Sequence, residues 1–246
     1  MSRTTRDLPT LLVLTRAPRH ERERKRLLPE ALADAERRLY EKSLADVVAC
    51  GKRTGCRVVV SSPSRLEIEG VHQLTQRGDT FGDRFANSVS LAQLKWPGGP
   101  LVVVGTDTPE LGARHLEETL DHLRRDPDEV VLGPSVDGGF YLLAWARPLR
   151  KVDWLSVSWC SLRTRETLRR CLEAAGRSVQ FLEPEADLDR APDLERWLAA
   201  ATGTWRRRLS ELRRILLGRL RVPVPAELPA LAGCTPIALR DRAPPR

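Results

Sequence analysis

Short, largely apolar runs recur along the chain, and segments with helical periodicity separate them. The runs cover residues 11–14, 57–60, 101–104, 129–132, 141–145 and 179–182. Runs of this length are typical of strands buried on both faces of a parallel sheet. The intervening segments 29–50, 81–94, 112–125 and 164–175 place apolar residues at helical spacing. This alternation predicts an α/β protein with a mostly parallel, doubly wound sheet.

Asp107 comes three residues after one of these runs, at the predicted carboxyl end of a strand. Ligands and metal ions bind at this edge of open α/β sheets. Asp107 is therefore a candidate to hold a divalent cation that bridges the phosphates of a nucleotide. A helix N-cap is the alternative, since Thr108 and Pro109 also suit a helix entry. Both roles stay open, because Thr108 can cap while Asp107 coordinates.

A second acidic turn, Asp137-Gly138-Gly139, lies between the runs 129–132 and 141–145. An Asp-Gly pair in that position is typical of a type I′ hairpin turn. Two adjacent glycines also let the backbone approach a ligand closely. Combined with Asp107 after a neighbouring strand, the turn predicts a binding site at one edge of the sheet.

A basic segment follows the first predicted strand. It begins with Thr15 and Arg16 and continues through several arginines to Arg26. As a loop at the carboxyl end of that strand, it is well placed to bind a diphosphate, with Arg16 and Arg26 as the best candidates. Glu21 and Glu23 are interleaved with the arginines, which favours a solvated charged loop as the alternative.

The segment 76–85 contains Gly78, Asp79 and Arg84 immediately before and within a predicted helix. The glycine allows a turn, and Asp79 is a candidate cap for the helix. A positive side chain in the first turn opposes the helix dipole, so we expect Arg84 to pair with an acid or a phosphate.

Charge is concentrated at the C-terminal end. The net charge is +8, and residues 203–246 account for +7 of it, with ten arginines against three acidic residues. The remainder is nearly neutral, so we expect no nucleic-acid partner. The length suits one domain over residues 1–202, followed by a tail over 203–246.

Within the tail, Trp205, Leu209, Leu212, Leu216 and Leu220 recur at helical spacing with arginines beside them. This pattern predicts a basic amphipathic helix that packs on the body or, as the alternative, contacts an anionic membrane surface through residues 204–221. The Pro- and Ala-rich remainder is predicted to be disordered.

The five cysteines are scattered and form no C-x-x-C pair. Such a set favours a reducing compartment over a disulfide framework or a zinc site. No apolar run reaches the length of a signal peptide or a membrane span. We therefore expect a cytoplasmic protein, peripheral to the inner membrane face if the tail helix binds lipid.

Six short motifs, in order over residues 10–200, resemble those of an uncharacterised family of GT-A-type glycosyltransferase-like proteins. That family is related to the nucleotide-diphospho-sugar transferases, and some members are assigned to arsenosugar biosynthesis. Its two most specific motifs are G-[ST]-D-x-P-x-L and G-P-x-x-D-G-G-[YF]-Y. The matching residues are Thr15, Arg16, Pro18, Arg26 and Leu27; Gln76, Gly78, Asp79, Gly82 and Arg84; Gly105, Thr106, Asp107, Pro109 and Leu111; Gly133, Pro134, Asp137, Gly138, Gly139, Phe140 and Tyr141; Trp159, Cys160 and Ser161; and Asp187, Asp189, Asp193 and Leu194.

The resemblance implies a Rossmann-like GT-A fold and metal-dependent transfer of a sugar from a nucleoside diphosphate sugar to an acceptor. It implies catalytic roles for Asp107, as the ligand of Mg²⁺ or Mn²⁺, and for Asp137, at the sugar or acceptor hydroxyl. Arg16 and Arg26 would bind the diphosphate. The remaining implied substrate contacts are Thr15, Gly78, Asp79, Arg84, Gly138 and Gly139.

His20-Glu21 replaces the Pro-Gly of that family's first loop and puts a negative side chain where glycine amides cradle phosphate. Two alternatives to a sugar transferase therefore stay open. One is a nucleotidyltransferase of the same fold, although such enzymes usually have a Gly-rich first loop and residues 14–18 contain no glycine. The other is a non-catalytic binding or scaffold protein.

Overall fold

The computed structural model of the protein describes residues 7–200. Its strands are β1 Thr10–Leu14, β2 Arg57–Ser62, β3 His72–Thr75, β4 Leu101–Val104, β5 Val130–Pro134, β6 Phe140–Trp145 and β7 Val179–Phe181. Its α-helices are α1 Pro18–Lys25, α2 Ala33–Arg53, α3 Phe81–Lys95, α4 Ala113–Arg125, α5 Thr164–Ala174 and α6 Ala191–Ala200. Short 3-10 turns precede α2 at Glu30–Leu32 and α5 at Trp154–Ser156.

The strands form one sheet in the order β3-β2-β1-β4-β6-β5-β7. All neighbours are parallel except β6, which runs antiparallel to β4 and β5. Leu12 of β1 is in register with Val59 of β2 and Val103 of β4, and all three side chains are buried at the centre of the sheet. The predicted α/β class with a mostly parallel Rossmann-like sheet is confirmed.

Helices cover both faces of this sheet. On one face, residues of α2 and α4 such as Leu44 and Leu116 pack against Leu11. On the other, residues of α3 and α5 such as Phe85 and Leu168 pack against Leu12. Burial of each such side chain stabilises the fold by about 2 kcal/mol. Alternate residues of β1 thus face opposite helical layers, which explains why this strand has no polar positions between Leu11 and Leu14.

Helix α1 occupies the segment that the sequence indicated as a basic loop, so that prediction was wrong. Pro18 takes the first turn of the helix, where a missing N–H costs no hydrogen bond. Glu21 and Arg24 pair across one turn with 3.5 Å between carboxylate and guanidinium. Because the helix has no apolar stripe, the periodicity of apolar residues does not indicate it.

The structure adds two further elements that the pattern of apolar residues did not predict. Strand β3 has one buried side chain, Leu74, and lies at the edge of the sheet. Helix α6 follows the last strand. The predicted tail helix, the disordered tail and the domain over residues 203–246 lie outside the described residues. Among residues 7–200, no helix combines the length and apolar character that a membrane crossing requires.

Glu36 of α2 anchors the turn between α1 and α2 from a fully buried position. Its carboxylate accepts hydrogen bonds from the backbone N–H groups of Leu27 and Leu28, at 2.8 and 3.1 Å, and from the Tyr40 hydroxyl at 2.9 Å. The Arg22 guanidinium lies 3.8 Å away. A buried charge is tolerated when it is paired and hydrogen-bonded in this way.

We expect Glu36→Ala to lower the free energy of unfolding by about 3 kcal/mol, because it leaves two backbone donors and the Tyr40 hydroxyl without their acceptor. Urea titration measures the change. The matched control is Glu41→Ala, which removes a solvent-facing ion pair with Arg37 on the same helix. The control should cost about 0.5 kcal/mol. Equal costs for the two variants would contradict an anchoring role for Glu36.

Candidate functional site

The carboxyl ends of β1, β4 and β5 meet at one edge of the sheet. Asp107 follows β4 there, and Asp137 lies in the loop between β5 and β6. The chain then returns to this edge after β7, through a segment that we name the crossover segment, residues 182–189. It adds Asp187 and Asp189, which received no site role in the sequence analysis.

Backbone hydrogen bonds fix the crossover segment across the strand ends. Leu182 donates to the Leu132 carbonyl at 3.0 Å, and Glu185 donates to the Pro134 carbonyl at 3.1 Å. Leu188 donates to the Asp107 carbonyl at 2.8 Å. The Leu188 side chain is buried, while Asp187 and Asp189 on either side are partly exposed. This alternation directs the two carboxylates toward the site.

His115, near the start of α4, holds the middle of the crossover segment. Its Nδ1 accepts a hydrogen bond from the Gly112 backbone N–H at 3.2 Å. The proton of the neutral ring is therefore on Nε2, which donates to Glu185 Oε1 at 2.9 Å. The ring is buried and packs edge-on against Tyr141.

Asp137, Asp187 and Asp189 form a group of carboxylates whose ligand atoms all lie within 4.8 Å of one another. Burial, together with the negative charges of Asp137 and Asp189, raises the pKa of Asp187 to about 6. Carboxylate oxygens at this spacing are the ligands that Mg²⁺ and Mn²⁺ prefer. The chemistry of the donor set therefore fits a divalent cation, which would relieve the repulsion.

Lys25, the last residue of α1, is the cation that the structure places against these acids. Its Nζ lies 2.8 Å from Asp107 Oδ1 and 2.7 Å from Asp189 Oδ1, and donates to the Leu188 carbonyl at 2.8 Å. Burial opposes the charged form, but the two carboxylates outweigh it and raise the pKa of Lys25. Lys25 likewise lowers the pKa of Asp189 against the effect of burial.

Glu21, the residue of the first-loop substitution, is buried on α1 and lies near Asp107. Burial and the nearby Asp107 raise its pKa. Arg24 lies 3.5 Å from its carboxylate and Arg16 lies 4.0 Å away. The negative side chain is therefore balanced by two arginines, and the reason for expecting it to repel phosphate loses its force.

Arg16 and Arg26, the predicted diphosphate contacts, lie in different surroundings. Arg16 follows β1 and has 37% of its side chain exposed beside Glu21. Arg26 is exposed and ends α1 in the left-handed conformation, with φ of 48°. Thr15 is buried, and its hydroxyl shares a hydrogen bond of 3.2 Å with the Thr106 hydroxyl. Thr15 therefore ties β1 to β4 beneath the site.

Arg84 braces the turn that contains Gly78 and Asp79. Its guanidinium donates to the backbone carbonyls of both residues, at 3.3 and 2.8 Å. Arg84 thus stabilises the turn through backbone oxygens, and its pairing with a phosphate stays a prediction. The prediction of an Asp79 cap was wrong, because Thr80 and Asp83 form a reciprocal capping box at the start of α3.

Asp107 is not a helix cap, since α4 begins several residues later with Gly112 at its N-cap. Its side chain is free for the ion pair with Lys25. Asp137 and Asp107 lie on the same edge and are linked through Asp189 and Lys25. A lysine and two further carboxylates thus lie between these two residues, and the group of three carboxylates includes Asp137 but not Asp107.

The turn at Asp137 closes a hairpin between β5 and β6, but with a longer loop than the expected two-residue turn. Asp137 Oδ1 accepts the Gly139 backbone N–H at 2.8 Å. Gly138 has φ of 94°, and a Cβ there would lie 2.3 Å from the Leu162 carbonyl oxygen. Its own carbonyl accepts a hydrogen bond from the Arg165 N–H. Gly138 thus lets the loop before α5 approach closely.

Comparison with known proteins relates part of the chain to a family and most of it to solved structures of the same fold. Residues 61–161 match the model of a family described as uncharacterized proteins conserved in bacteria, DUF2064. The resemblance to an uncharacterised GT-A-like family is confirmed. No curated protein matches the chain.

Solved structures share the fold at low sequence identity. A protein from Desulfovibrio desulfuricans G20, described as a candidate nucleotide-diphospho-sugar transferase, is 17% identical, with a TM-score of 0.73 over 86% of this chain and 97% of its own. The 4-diphosphocytidyl-2C-methyl-D-erythritol synthase of Anaerococcus prevotii DSM 20548 is 10% identical, with a TM-score of 0.51 over 77% and 96%. A CMP:2-keto-3-deoxy-manno-octonic acid synthetase complexed with CTP is 14% identical, with a TM-score of 0.50 over 77% and 96%. The chain therefore shares its fold with these three proteins.

We expect Asp187→Asn to stabilise the metal-free protein at pH 7.5 and to have little effect at pH 4. The pKa of Asp187 is about 6 in the folded protein and about 3.9 in an unfolded chain, so the folded state holds this proton more tightly. The stability that the proton contributes is complete below pH 4 and is lost as the pH rises through 6.

Urea unfolding in a chelator at several pH values tests this expectation. Asp121→Asn, on the exposed surface of α4, is the control for loss of one carboxylate and should show no such pH dependence. A difference in the free energy of unfolding between Asp187→Asn and wild type that stays constant from pH 4 to 7.5 would contradict a raised pKa for Asp187.

We expect Gly138→Ala to lower the free energy of unfolding by about 3 kcal/mol or more, because backbone strain adds to a clash with the Leu162 carbonyl. Gly55→Ala is the matched control, since Gly55 has φ of 72° but open space around a Cβ. It should cost about 1 kcal/mol from its conformation alone. Thermal or urea unfolding compares the two, and equal costs would argue against the close approach.

Proposed function

We propose that this protein is a metal-dependent glycosyltransferase that moves a sugar from a nucleoside diphosphate sugar to an acceptor. The observation that carries the proposal is the composition of one edge of the sheet. Four carboxylates lie there, together with the cationic side chains of α1 and of the loop before it. A donor of this class brings both a diphosphate, which needs positive charge, and a sugar, which needs hydrogen-bond acceptors.

The residues divide into two groups by charge. Arg16 and Arg26 would bind the diphosphate, and Asp137 would accept a hydrogen bond from a hydroxyl of the sugar or acceptor. Asp107 would bind a Mg²⁺ or Mn²⁺ ion, and the spacing of Asp137, Asp187 and Asp189 supports extending the ligand set to these three carboxylates. When bound, the ion would neutralise charge on the departing diphosphate.

The reaction joins an acceptor oxygen to the anomeric carbon of the sugar. The bond between that carbon and the diphosphate oxygen breaks, and the nucleoside diphosphate leaves with the electron pair. The acceptor hydroxyl passes its proton to a carboxylate of this edge, for which Asp137 and Asp187 are the candidates. Arg16, which is half-buried after β1, is the cation proposed to contact the leaving diphosphate.

A nucleotidyltransferase is the second candidate, because two structures of that kind share the fold. The first loop argues against it. The Thr15 backbone N–H donates to the Ser61 carbonyl, that of His20 donates to the Ala17 carbonyl, and Pro18 has none. Residues 14–18 also contain no glycine, so this backbone lacks the freedom with which a Gly-rich loop cradles a triphosphate. Side-chain recognition of a diphosphate suits it better.

Calorimetric titration with UDP- and GDP-sugars, with and without Mn²⁺, tests the proposal. We expect binding that depends on the ion, and a slow release of nucleoside diphosphate when water replaces the acceptor. Asp107→Ala and Asp137→Asn should each lower that release by about a hundredfold, since groups that stabilise developing charge contribute on this scale. Asp121→Asn on α4 should leave it unchanged.

The outcomes separate the candidates. Release of pyrophosphate from CTP or GTP in the presence of a sugar phosphate would identify a nucleotidyltransferase. Binding of a sugar nucleotide without turnover would identify a binding protein. Unchanged hydrolysis in both Asp107→Ala and Asp137→Asn would remove this edge as the site.

A further inference from the structure

Lys25 is coordinated in a way that resembles a bound metal ion. Three oxygens surround its Nζ at 2.7 to 2.8 Å, two from the carboxylates of Asp107 and Asp189 and one from the Leu188 carbonyl. These three acceptors match the three N–H donors of an ammonium group. Only 2% of the side chain is exposed. Carboxylate and carbonyl oxygens are also the ligands of hard divalent cations.

The position of Lys25 places it in competition with a cation at the same edge. Asp189 belongs to the group of three carboxylates and also holds the ammonium group. An oxygen that is already paired at 2.7 Å is less available to a metal. Two positive charges within a few ångströms repel each other, and water screens this repulsion poorly at a largely buried site.

We propose that Lys25 is an internal cation that weakens metal binding until an anionic ligand draws it away from Asp107 and Asp189. This inference rests on the proposed function, because the anion would be the diphosphate of the donor. A phosphate oxygen offers the ammonium group a new partner and leaves both carboxylates to the metal. The metal and the nucleotide then bind more tightly together than separately.

The structure allows this exchange to stay local. Lys25 is the last residue of α1, and the left-handed Arg26 ends the helix directly after it. Its four-carbon stem lets the charge move by side-chain rotation alone. Arg24, which lies 3.9 Å from Asp189, keeps a positive charge near that carboxylate when Lys25 moves. The backbone contact from Leu188 to Asp107 does not depend on the lysine.

The full-length protein, stripped of metal by a chelator, is titrated with Mn²⁺ alone by calorimetry. We expect Lys25→Gln and Lys25→Met to bind Mn²⁺ about tenfold more tightly than wild type, because each removes one nearby positive charge. Gln keeps a hydrogen-bond donor for the site oxygens, so Lys25→Gln still tests the proposal if the Met variant does not fold. Lys25→Arg, which retains the charge, should bind like wild type.

Lys42→Met is the matched control, since it removes a lysine of α2 that pairs with Asp46 outside the site. Its Mn²⁺ affinity should equal that of wild type. A purely structural role for Lys25 would lower stability in both neutral variants without tightening Mn²⁺ binding. Affinity equal to or weaker than wild type in folded Lys25→Gln, including no binding by either protein, would overturn the proposal.

A second titration measures the coupling with UDP as the anionic probe. Wild type should bind UDP more tightly with Mn²⁺ than without it, and Lys25→Gln should show a smaller gain, because binding coupling is reciprocal. An equal gain in both proteins would also overturn the proposal. Failure of every sugar nucleotide to bind would instead reject the proposed function, and the titration with Mn²⁺ alone would still decide the role of Lys25.

Discussion

The ammonium group of Lys25 is the contact on which the acidic edge of the sheet depends. It joins α1 to Asp107 after β4 and to Asp189 in the crossover segment, so it links three sections that are far apart in sequence. Four carboxylates at one edge would otherwise repel each other in a partly buried environment. Lys25, which is shared by two of these carboxylates, and Arg24 near Asp189 offset this repulsion.

The crossover segment shows how backbone contacts support this charge balance. Its hydrogen bonds to the ends of β4 and β5 set the position of Asp187 and Asp189, and the buried His115 fixes Glu185. The carboxylates are therefore positioned by backbone hydrogen bonds and a buried histidine without the help of a ligand. Preorganised groups of this kind lose little freedom when a charged ligand binds.

Two glycines of the family motifs have packing roles in this structure. Gly138 makes room for the Leu162 backbone, and a Cβ on Gly82 would lie 2.6 Å from the Trp159 ring. Trp159 in turn packs against Phe81 and Phe85. These motifs thus keep the loop before α5 close to the β5–β6 loop and to α3, which is a different task from contacting a substrate.

Apolar periodicity was sufficient to predict the central strands, the long helices and the placement of Asp107 and Asp137 after strands, because local burial fixes those features. It missed α1, whose surface is charged, and the roles of Lys25, Asp187 and Asp189. The Asp-Leu-Asp alternation at 187–189 was the available signal, yet only the folded chain brings it against β4. Contacts such as the hydrogen bond from Lys25 to the Leu188 carbonyl join residues 163 positions apart, and they form only when the sheet order is set.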